Sequence, residues 1–303
     1  MIEKTDYIPI QEHYPFSFDN INDIPIGKKL LSNINEEEFQ KISKTAEIIE
    51  QKLAKFPLKH RLNIIGGCIR DLLLNKPIKD VDILISIDYE YASKMLDNIE
   101  KTEKEYEIKQ HKKSDSMSLF VIQELQHELT GLEFESYSSY IDAEDNTTIK
   151  TLGTEDTKNN MLGVIKITND SLPFDVDLII SILNVSDYVR HFDFNICQTI
   201  LPIKKQETIS KQKIIVSNYF IHDVTSNSLT MNMNSFNQHK KILNSLEKHY
   251  PRLQTKYPEH KFSILHREER YNPFKKEDIQ RIFDFTTINT YNSTKTKINK
   301  QKI

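Results

Sequence analysis

One stretch constrains the fold of this chain more than any other: residues 62–86, LNIIGGCIRDLLLNKPIKDVDILIS. It opens with a short apolar run, which predicts a β-strand that ends at Gly66 and Gly67. The next residues predict a helix of about two turns, which Pro77 terminates. An alternating acidic and apolar run then predicts a second strand. This order of elements indicates a domain that contains both helices and strands.

The two glycines are suited to bind a phosphate. Because Gly66 and Gly67 lack side chains, a phosphate could approach their backbone N–H groups, and the helix that begins there directs its positive end to the same place. Arg70, on the first turn of that helix, could add a charged hydrogen bond or hold the site together from behind. The pattern therefore predicts an anion-binding turn.

Two carboxylates follow on the second strand. Asp80 and Asp82 stand two residues apart, so an extended strand projects both to one face while Val81 and Ile83 enter the core. Carboxylates so placed repel each other unless a cation lies between them, and oxygen ligands at this density suit Mg²⁺. A phosphate-binding turn beside a hard-metal site is the minimum needed to activate a nucleoside triphosphate.

This arrangement resembles the signature of the polymerase-beta-like nucleotidyltransferases, in the branch of CCA-adding enzymes and bacterial poly(A) polymerases. The head domain of that branch carries GG-x-x-RD-x-LL followed by D-x-D, which residues 66–83 match densely. The likeness is scattered over 60–225, and none is claimed for 1–34. The resemblance implies an α+β fold: a small mixed β-sheet with helices on one side, the palm of these enzymes, plus a helical C-terminal part.

The resemblance also implies the metal ligands. In that family the DxD carboxylates hold two magnesium ions, a role that falls here to Asp80 and Asp82, and Mn²⁺ could replace Mg²⁺. A third acidic residue on a neighbouring strand joins them close to the attacking hydroxyl. The segment PFDVDLIIS offers Asp175 and Asp177 on one strand face. Asp177 is preferred because the apolar run that follows it should enter the sheet.

A third segment, residues 189–198 (VRHFDFNICQ), loosely resembles the family's RRDFTINA stretch, which helps to hold the sugar of the nucleotide. The resemblance implies that Arg190 and Asp193 bind nucleotide, as do Gly66, Gly67 and Arg70. His191-Phe192 interrupts the paired arginines and Asn195 replaces the usual threonine, so the nucleotide preference is not fixed. Core packing of the phenylalanines would explain half of the same signal.

The charge balance favours no particular partner. The 41 Lys and Arg residues against 44 Asp and Glu give a net charge of −3, so a polynucleotide substrate is permitted and not indicated. The chain has no basic-then-apolar secretory signal and no apolar stretch of about 20 residues that could span a bilayer. We therefore expect a cytoplasmic protein with no membrane partner. The sequence does not indicate an oligomeric state.

The chain divides into four expected regions: an irregular N-terminal arm (1–34), a nucleotidyltransferase domain (35–225), a helical C-terminal region (226–290) and a basic flexible tail (291–303). A helix is predicted from Asn35, because apolar residues recur at helical spacing after it. Strands are predicted at 117–123 and 132–138, and the segment YFIHDV (219–224) is a further strand candidate.

The expected activity is transfer of a nucleoside monophosphate from an NTP, ATP or CTP, to an acceptor hydroxyl with release of pyrophosphate. The acceptor could be an RNA 3′ end, including that of tRNA, a protein side chain or a small molecule. Full CCA synthesis is less expected, because only about eighty residues follow 225 and acids dilute their basic residues. Two alternatives are a catalytically silent nucleotidyltransferase-like protein that binds nucleotide or RNA, and a phosphate-binding α/β protein that shares only the glycine turn.

Overall fold

A computed structural model of the chain describes residues 16–88, 90–94, 113–138, 161–204, 208–232, 246 and 248–265. The strands are β1 (Phe18–Asn20), β2 (His60–Ile65), β3 (Asp80–Ile87), β4 (Phe134–Ser138), β5 (Met161–Ile167), β6 (Asp175–Ser181), β7 (Thr199–Ile203), β8 (Ile215–Ser217), β9 (Ser228–Asn232) and β10 (Lys261–Leu265). The helices used below are α1 (Gly27–Ser32), α2 (Glu36–Lys52), α3 (Gly67–Leu73), α4 (Lys113–Glu128), α5 (Val185–Arg190), α6 (Asn218–Ser226) and α7 (Tyr250–Lys256).

An eight-stranded mixed sheet forms the centre of the fold, in the order β1-β8-β7-β2-β3-β6-β5-β4. Its neighbouring strands run antiparallel, except that β3 and β6 run parallel. A second sheet pairs β9 with β10 in parallel. The expected mixed sheet is thus confirmed, and the parallel pair at its centre is the one that carries both predicted aspartate pairs.

Strand β3 shows how the sequence pattern sets the two faces of the sheet. Val81, Ile83 and Ile85 are fully buried in the large core cluster, which also contains apolar residues of α2, α3 and α4. Asp80 and Asp82 project to the opposite face because side chains alternate along a strand. The helix layer therefore covers one face and leaves the carboxylates on the other.

A smaller apolar cluster covers part of the carboxylate face. Tyr188 and Val189 of α5 pack there against Ile65 and Leu84 of the sheet. Helices consequently lie on both faces, with the larger helical layer on one side, as expected, and α5 on the other. This places α5 beside the predicted site.

Helix α2 begins where the sequence predicts. The side chain of Asn35 accepts hydrogen bonds from the N–H groups of Glu37 and Glu38, so it caps the helix. The apolar face at helical spacing is buried: Phe39, Ile42, Ala46, Ile49 and Leu53. This helix is confirmed in both its start and its buried face.

Three local predictions are wrong. Residues 117–123, predicted as a strand, lie within helix α4, where Val121 and Leu125 stand at helical spacing and are fully buried. The strand candidate 219–224 lies within helix α6, which Ser217 caps. The arm expected to be irregular contains β1 and α1, and β1 pairs with β8 at the edge of the sheet.

The C-terminal part combines helix with sheet. Helix α7 lies between β9 and β10, and this strand pair was not predicted from the sequence. The four predicted region boundaries stay predictions, and the tail 291–303 lies outside the described residues. Within the part of the chain that the structure describes, no helix is both long enough and apolar enough to cross a membrane.

Candidate active site

The glycine turn between β2 and α3 is fixed to the neighbouring strand β7. Gly66 adopts φ 76° and ψ −134°, a conformation that only glycine takes without strain. Its N–H donates to the carbonyl of Thr199 at 3.0 Å, and the Thr199 hydroxyl donates to the Gly66 carbonyl at 2.9 Å. The Gly66 N–H is therefore already engaged, and this residue serves the turn by its shape.

Gly66 lies between an aromatic ring and a carboxylate. A Cβ atom added at this position would stand 3.1 Å from Cε2 of Phe192 and 3.5 Å from Oδ2 of Asp82. A side chain here would fill the space beside the Asp82 carboxylate. The missing side chain thus leaves room at the point where the sequence predicts a phosphate.

The two predicted aspartate pairs lie side by side on the parallel strands. Asp80 is the register partner of Asp175, and Asp82 is the register partner of Asp177. Asp175 is exposed at the start of β6, whereas Asp177 is partly buried. Of the two candidates for the third carboxylate, Asp177 is the register partner of Asp82, the aspartate that lies beside the glycine turn.

The carboxylates act on each other electrostatically. Burial, together with the negative charges of Asp80 and Asp177, raises the pKa of Asp82 to about 7, while Arg70 acts in the opposite direction. Burial also raises the pKa of Asp177, and the charges of Asp80 and Asp175 add to the effect against Lys166 and Lys79. Negative charge therefore accumulates at one place, and ionised Asp82 is unfavourable there without a counter-charge.

These carboxylates suit a hard divalent cation, although they do not form a closed cage. Among the described residues, no group of three or more His, Cys, Asp or Glu side chains already converges as a metal site. Mg²⁺ is commonly bound through one or two carboxylates, with substrate phosphates and waters as its other ligands. A cation bound between the carboxylate oxygens would relieve the repulsion around Asp82. These carboxylates are therefore suitable ligands for Mg²⁺ or Mn²⁺.

Arg70 lies behind the turn and is almost completely buried, at 7% exposure. Its Nε donates to Oδ1 of Asp71 at 2.7 Å and to the hydroxyl of Tyr257 at 3.1 Å, and its Nη1 donates to Sγ of Cys197 at 2.9 Å. A Cβ added at Gly67 would stand 3.3 Å from Nη2 of Arg70. Of its two expected roles, these contacts match that of holding the site together from behind.

The predicted nucleotide-binding residues of segment 189–198, Arg190 and Asp193, contact different neighbours. Arg190 is exposed, and its guanidinium stands 5.0 Å from the ring centre of Phe16 in a cation–π arrangement. The Asp193 carboxylate lies 4.0 Å from Nε2 of His249. Burial raises the pKa of the hydroxyl of Tyr188, the residue directly before this segment, and the charges of Asp82 and Asp193 add to the effect.

A cavity of about 370 Å³ opens at the start of β6, beside Asp175. Glu133 and Asp170 add two more acidic side chains to its lining. Carboxylates repel the oxygens of a triphosphate unless a metal intervenes, so this cavity is a poor triphosphate pocket.

Sequence reasoning missed Tyr257, Lys256 and Phe192 as neighbours of the site. The first two lie far along the chain in a stretch without any motif, so only the fold brings them to Arg70 and Asp71. Phe192 had a signal, because it belongs to the His191-Phe192 pair that interrupts the paired arginines of the similar family segment. Its packing against Gly66 is visible only in the structure.

The comparisons with known proteins agree with the motif. Residues 62–164 match the family model described as the Poly A polymerase head domain. No curated protein matches the sequence.

Three solved structures are among those similar to this chain. A structure described as the apo form I of a CCA-adding enzyme is 9% identical, with a TM-score of 0.43 over 91% of this chain and 47% of that one. The Thermotoga maritima CCA-adding enzyme complexed with tRNA is 10% identical, with a TM-score of 0.40 over 84% and 44%. A tRNA-processing enzyme in its apo form I is 11% identical, with a TM-score of 0.41 over 83% and 48%.

The chain spans less than half the length of these structures. The family match covers β2, the glycine turn, α3 and the DxD strand β3, which are the elements that build one side of the site. Residues 62–164, about a third of the chain, are therefore similar to the Poly A polymerase head domain.

Proposed function

We propose that this protein is a metal-dependent nucleotidyltransferase, which transfers a nucleoside monophosphate from ATP or CTP to an acceptor hydroxyl and releases pyrophosphate. One observation carries the proposal: Asp80, Asp82 and Asp177 lie on adjacent strands beside the Gly66 turn, where their charges act on each other. Such a concentration of carboxylates next to open space is unfavourable unless it serves to bind cations.

Asp80, Asp82 and Asp177 would hold two Mg²⁺ or Mn²⁺ ions, with the triphosphate as a further ligand. When bound, the metal neutralises charge on the phosphates and makes an acceptor hydroxyl easier to ionise. The chain itself contributes geometry. Gly66 leaves space for the phosphate beside Asp82, and Arg70 supports the turn from the opposite side without entering that space.

Asp177 is the carboxylate that we propose contacts the acceptor hydroxyl. It is partly exposed at the register position beside Asp82, so an incoming hydroxyl could reach it. Its raised pKa makes it a better proton acceptor than an ordinary aspartate. We propose that Asp177 lies next to the attacking hydroxyl and accepts its proton, while Arg190 and Asp193 contact the nucleotide.

The acceptor is best found by experiment. The full chain would be incubated with Mg²⁺ and each of the four labelled NTPs in three separate arms. The first arm contains total cellular RNA, which includes tRNA, the second contains total protein, and the third contains a small-molecule extract. We expect pyrophosphate release with ATP or CTP and label in one arm. The Asp80→Asn and Asp82→Asn variants should reduce both signals to background. Turnover retained in either variant would refute the mechanism.

A silent nucleotide-binding protein is the second candidate function, and one observation favours it. Among the described residues no group of three or more His, Cys, Asp or Glu side chains already converges as a metal site, so a nucleotide could bind here without being activated. Such a protein would bind ATP or CTP in equilibrium dialysis and release no pyrophosphate with any acceptor. The same assay therefore separates the two candidates. A cytoplasmic location stays a prediction for either one.

A further inference from the structure

The C-terminal part of the chain reaches the candidate site from behind. Tyr257, directly after α7, is fully buried, and its hydroxyl donates to Oδ1 of Asp71 at 2.6 Å. The same hydroxyl accepts from Nε of Arg70 at 3.1 Å. Tyr257 thus closes a ring of hydrogen bonds with two consecutive residues of the glycine-turn helix, although more than 180 positions separate them in sequence.

Lys256 strengthens this connection. Its ammonium group donates to the other carboxylate oxygen of Asp71, and to the carbonyl of Pro77 at 2.8 Å. The Asp71 carboxylate therefore has a C-terminal partner on each oxygen, Tyr257 on one and Lys256 on the other. The guanidinium of Arg70 also lies 5.5 Å from the ring centre of Tyr257, so the aromatic face supports it as well.

The C-terminal part makes a second connection to the segment that contains Arg190 and Asp193. The side chain of Asn232 donates to the carbonyl of Arg190 at 2.9 Å, and its backbone N–H donates to the carbonyl of Asp193 at 2.7 Å. Both motif segments are therefore tied to residues beyond 226.

We propose that Tyr257 is a positioning residue for nucleotidyl transfer, which fixes the Arg70 guanidinium against the glycine turn from the C-terminal part of the chain. This inference rests on the proposed function for its catalytic consequence. Its physical basis is that a buried guanidinium needs fixed partners, because an unpaired buried charge is strongly unfavourable. Without the Tyr257 hydroxyl, Arg70 loses one of the acceptors that determine its direction.

The catalytic effect follows from what Arg70 touches. Its Nη2 is the nearest atom to the place where a Gly67 side chain would stand, and its charge also acts on Asp82. A shift of Arg70 would therefore move the turn relative to the carboxylates. Small displacements of groups that orient a substrate reduce turnover more than they reduce binding.

The test compares two single-atom deletions in the full chain. Tyr257→Phe removes the hydroxyl and keeps the ring, and Tyr250→Phe does the same at another buried tyrosine of the same region, whose ring packs on Phe262 at 4.9 Å. The assay contains Mg²⁺, ATP or CTP, and the acceptor that becomes labelled with the parent protein. We expect Tyr257→Phe to lower kcat about tenfold and to change the KM for the nucleotide less than about twofold. Tyr250→Phe should change neither by more than about twofold.

A second readout does not depend on activity. Burial raises the pKa of the Cys197 thiol, and the Arg70 charge beside it acts in the opposite direction. The rate at which iodoacetamide alkylates Cys197 is measured at several pH values by mass spectrometry of the peptide that contains it. If Tyr257 fixes Arg70, Tyr257→Phe should raise the apparent pKa of this alkylation. Tyr250→Phe should leave that pKa where it is in the parent protein.

The outcomes are distinguishable. The inference would be overturned if Tyr257→Phe changed neither kcat nor the alkylation of Cys197. It would also be overturned if the loss of kcat were fully explained by a smaller fraction of folded protein, measured by circular dichroism. If Tyr257→Phe does not fold, Lys256→Met removes the other bond to Asp71 from a partly exposed side chain, and kcat should fall about threefold. A parent protein that transfers no nucleotide refutes the proposed function, and Cys197 alkylation then still decides whether Tyr257 fixes Arg70.

Discussion

Asp82 lies opposite Asp177 across the parallel strands β3 and β6, and each is one of a pair of aspartates two residues apart. The parallel register makes the two DxD sequences face each other in step, Asp80 with Asp175 and Asp82 with Asp177. An antiparallel pair in this register would set them in the opposite order. The four carboxylates therefore form a graded set, from the exposed Asp175 to Asp82 beside the glycine turn.

This gradation distinguishes the two candidates for the third carboxylate. Asp177→Asn should lower kcat by at least about 100-fold, because it removes the carboxylate that lies beside Asp82. Asp175→Asn removes an identical group two residues earlier on the same strand face, and should lower kcat less than about threefold. Single-turnover rates of both variants with the labelled nucleotide provide the measurement. An equal loss in both variants would contradict the assignment of Asp177.

A second prediction concerns the free energy of unfolding. The pKa of Asp82 is raised to about 7 in the folded protein from its ordinary value of 3.8, so the folded state binds this proton more tightly than the unfolded state. Ionised Asp82 consequently destabilises the metal-free protein above pH 7. Asp82→Asn should therefore stabilise it at pH 8 in EDTA by about 1 to 2 kcal/mol, less than the full shift implies because the group is partly exposed.

The pH dependence gives the sign of the effect. As pH falls through 7, folded Asp82 takes up its proton and the parent protein recovers stability, so the advantage of the variant should shrink and disappear near pH 4. Urea unfolding at several pH values measures this. Asp175→Asn is the matched control, because that side chain is exposed and its charge is not among those that raise the pKa of Asp82, so little stability should change. A variant that is less stable than the parent at pH 8 would contradict the prediction.

The local part of the site could be predicted from sequence. Strand β2, the glycine turn, α3 and β3 follow each other within the 28 residues 60–87, and each has its own signal in apolar spacing, glycine or alternating acids. The choice between Asp175 and Asp177 depends on the register of two strands that are distant in the chain. No local pattern contains that register, and the preference for Asp177 came only from the apolar run that follows it.

The errors have a similar cause. Residues 117–123 form a short apolar run, which fits a strand or a buried helix equally well, and its packing in α4 decides between them. Arg70 had two expected roles, and its burial against Asp71, Cys197 and Tyr257 favours one of them. Because Tyr257 lies in the C-terminal part, only the tertiary fold could distinguish the two.

A third prediction separates strain at the turn from function. Gly66→Ala should destabilise the protein by about 1 to 3 kcal/mol, because φ is +76° and the new Cβ meets Phe192, and it should also reduce kcat by filling the space beside Asp82. Gly131→Ala is the control, since φ is +91° there and the new Cβ would meet only Nζ of Lys52, at 3.6 Å. It should show a loss of stability without a loss of kcat. If both variants lose kcat alike, the space at Gly66 has no special role.

The last prediction concerns metal binding in the absence of nucleotide. Because the pKa of Asp82 is about 7, a cation bound below that pH must displace the proton, whereas above it the carboxylate is already ionised. The affinity for Mn²⁺ should therefore rise about tenfold between pH 6 and pH 8, with proton release that calorimetry in buffers of different ionisation enthalpy can measure. Asp82→Asn should bind Mn²⁺ more weakly and without this dependence, while Asp175→Asn keeps it. A parent affinity that does not change with pH would mean that Asp82 is not a ligand, because its proton and the cation must compete for the same oxygens.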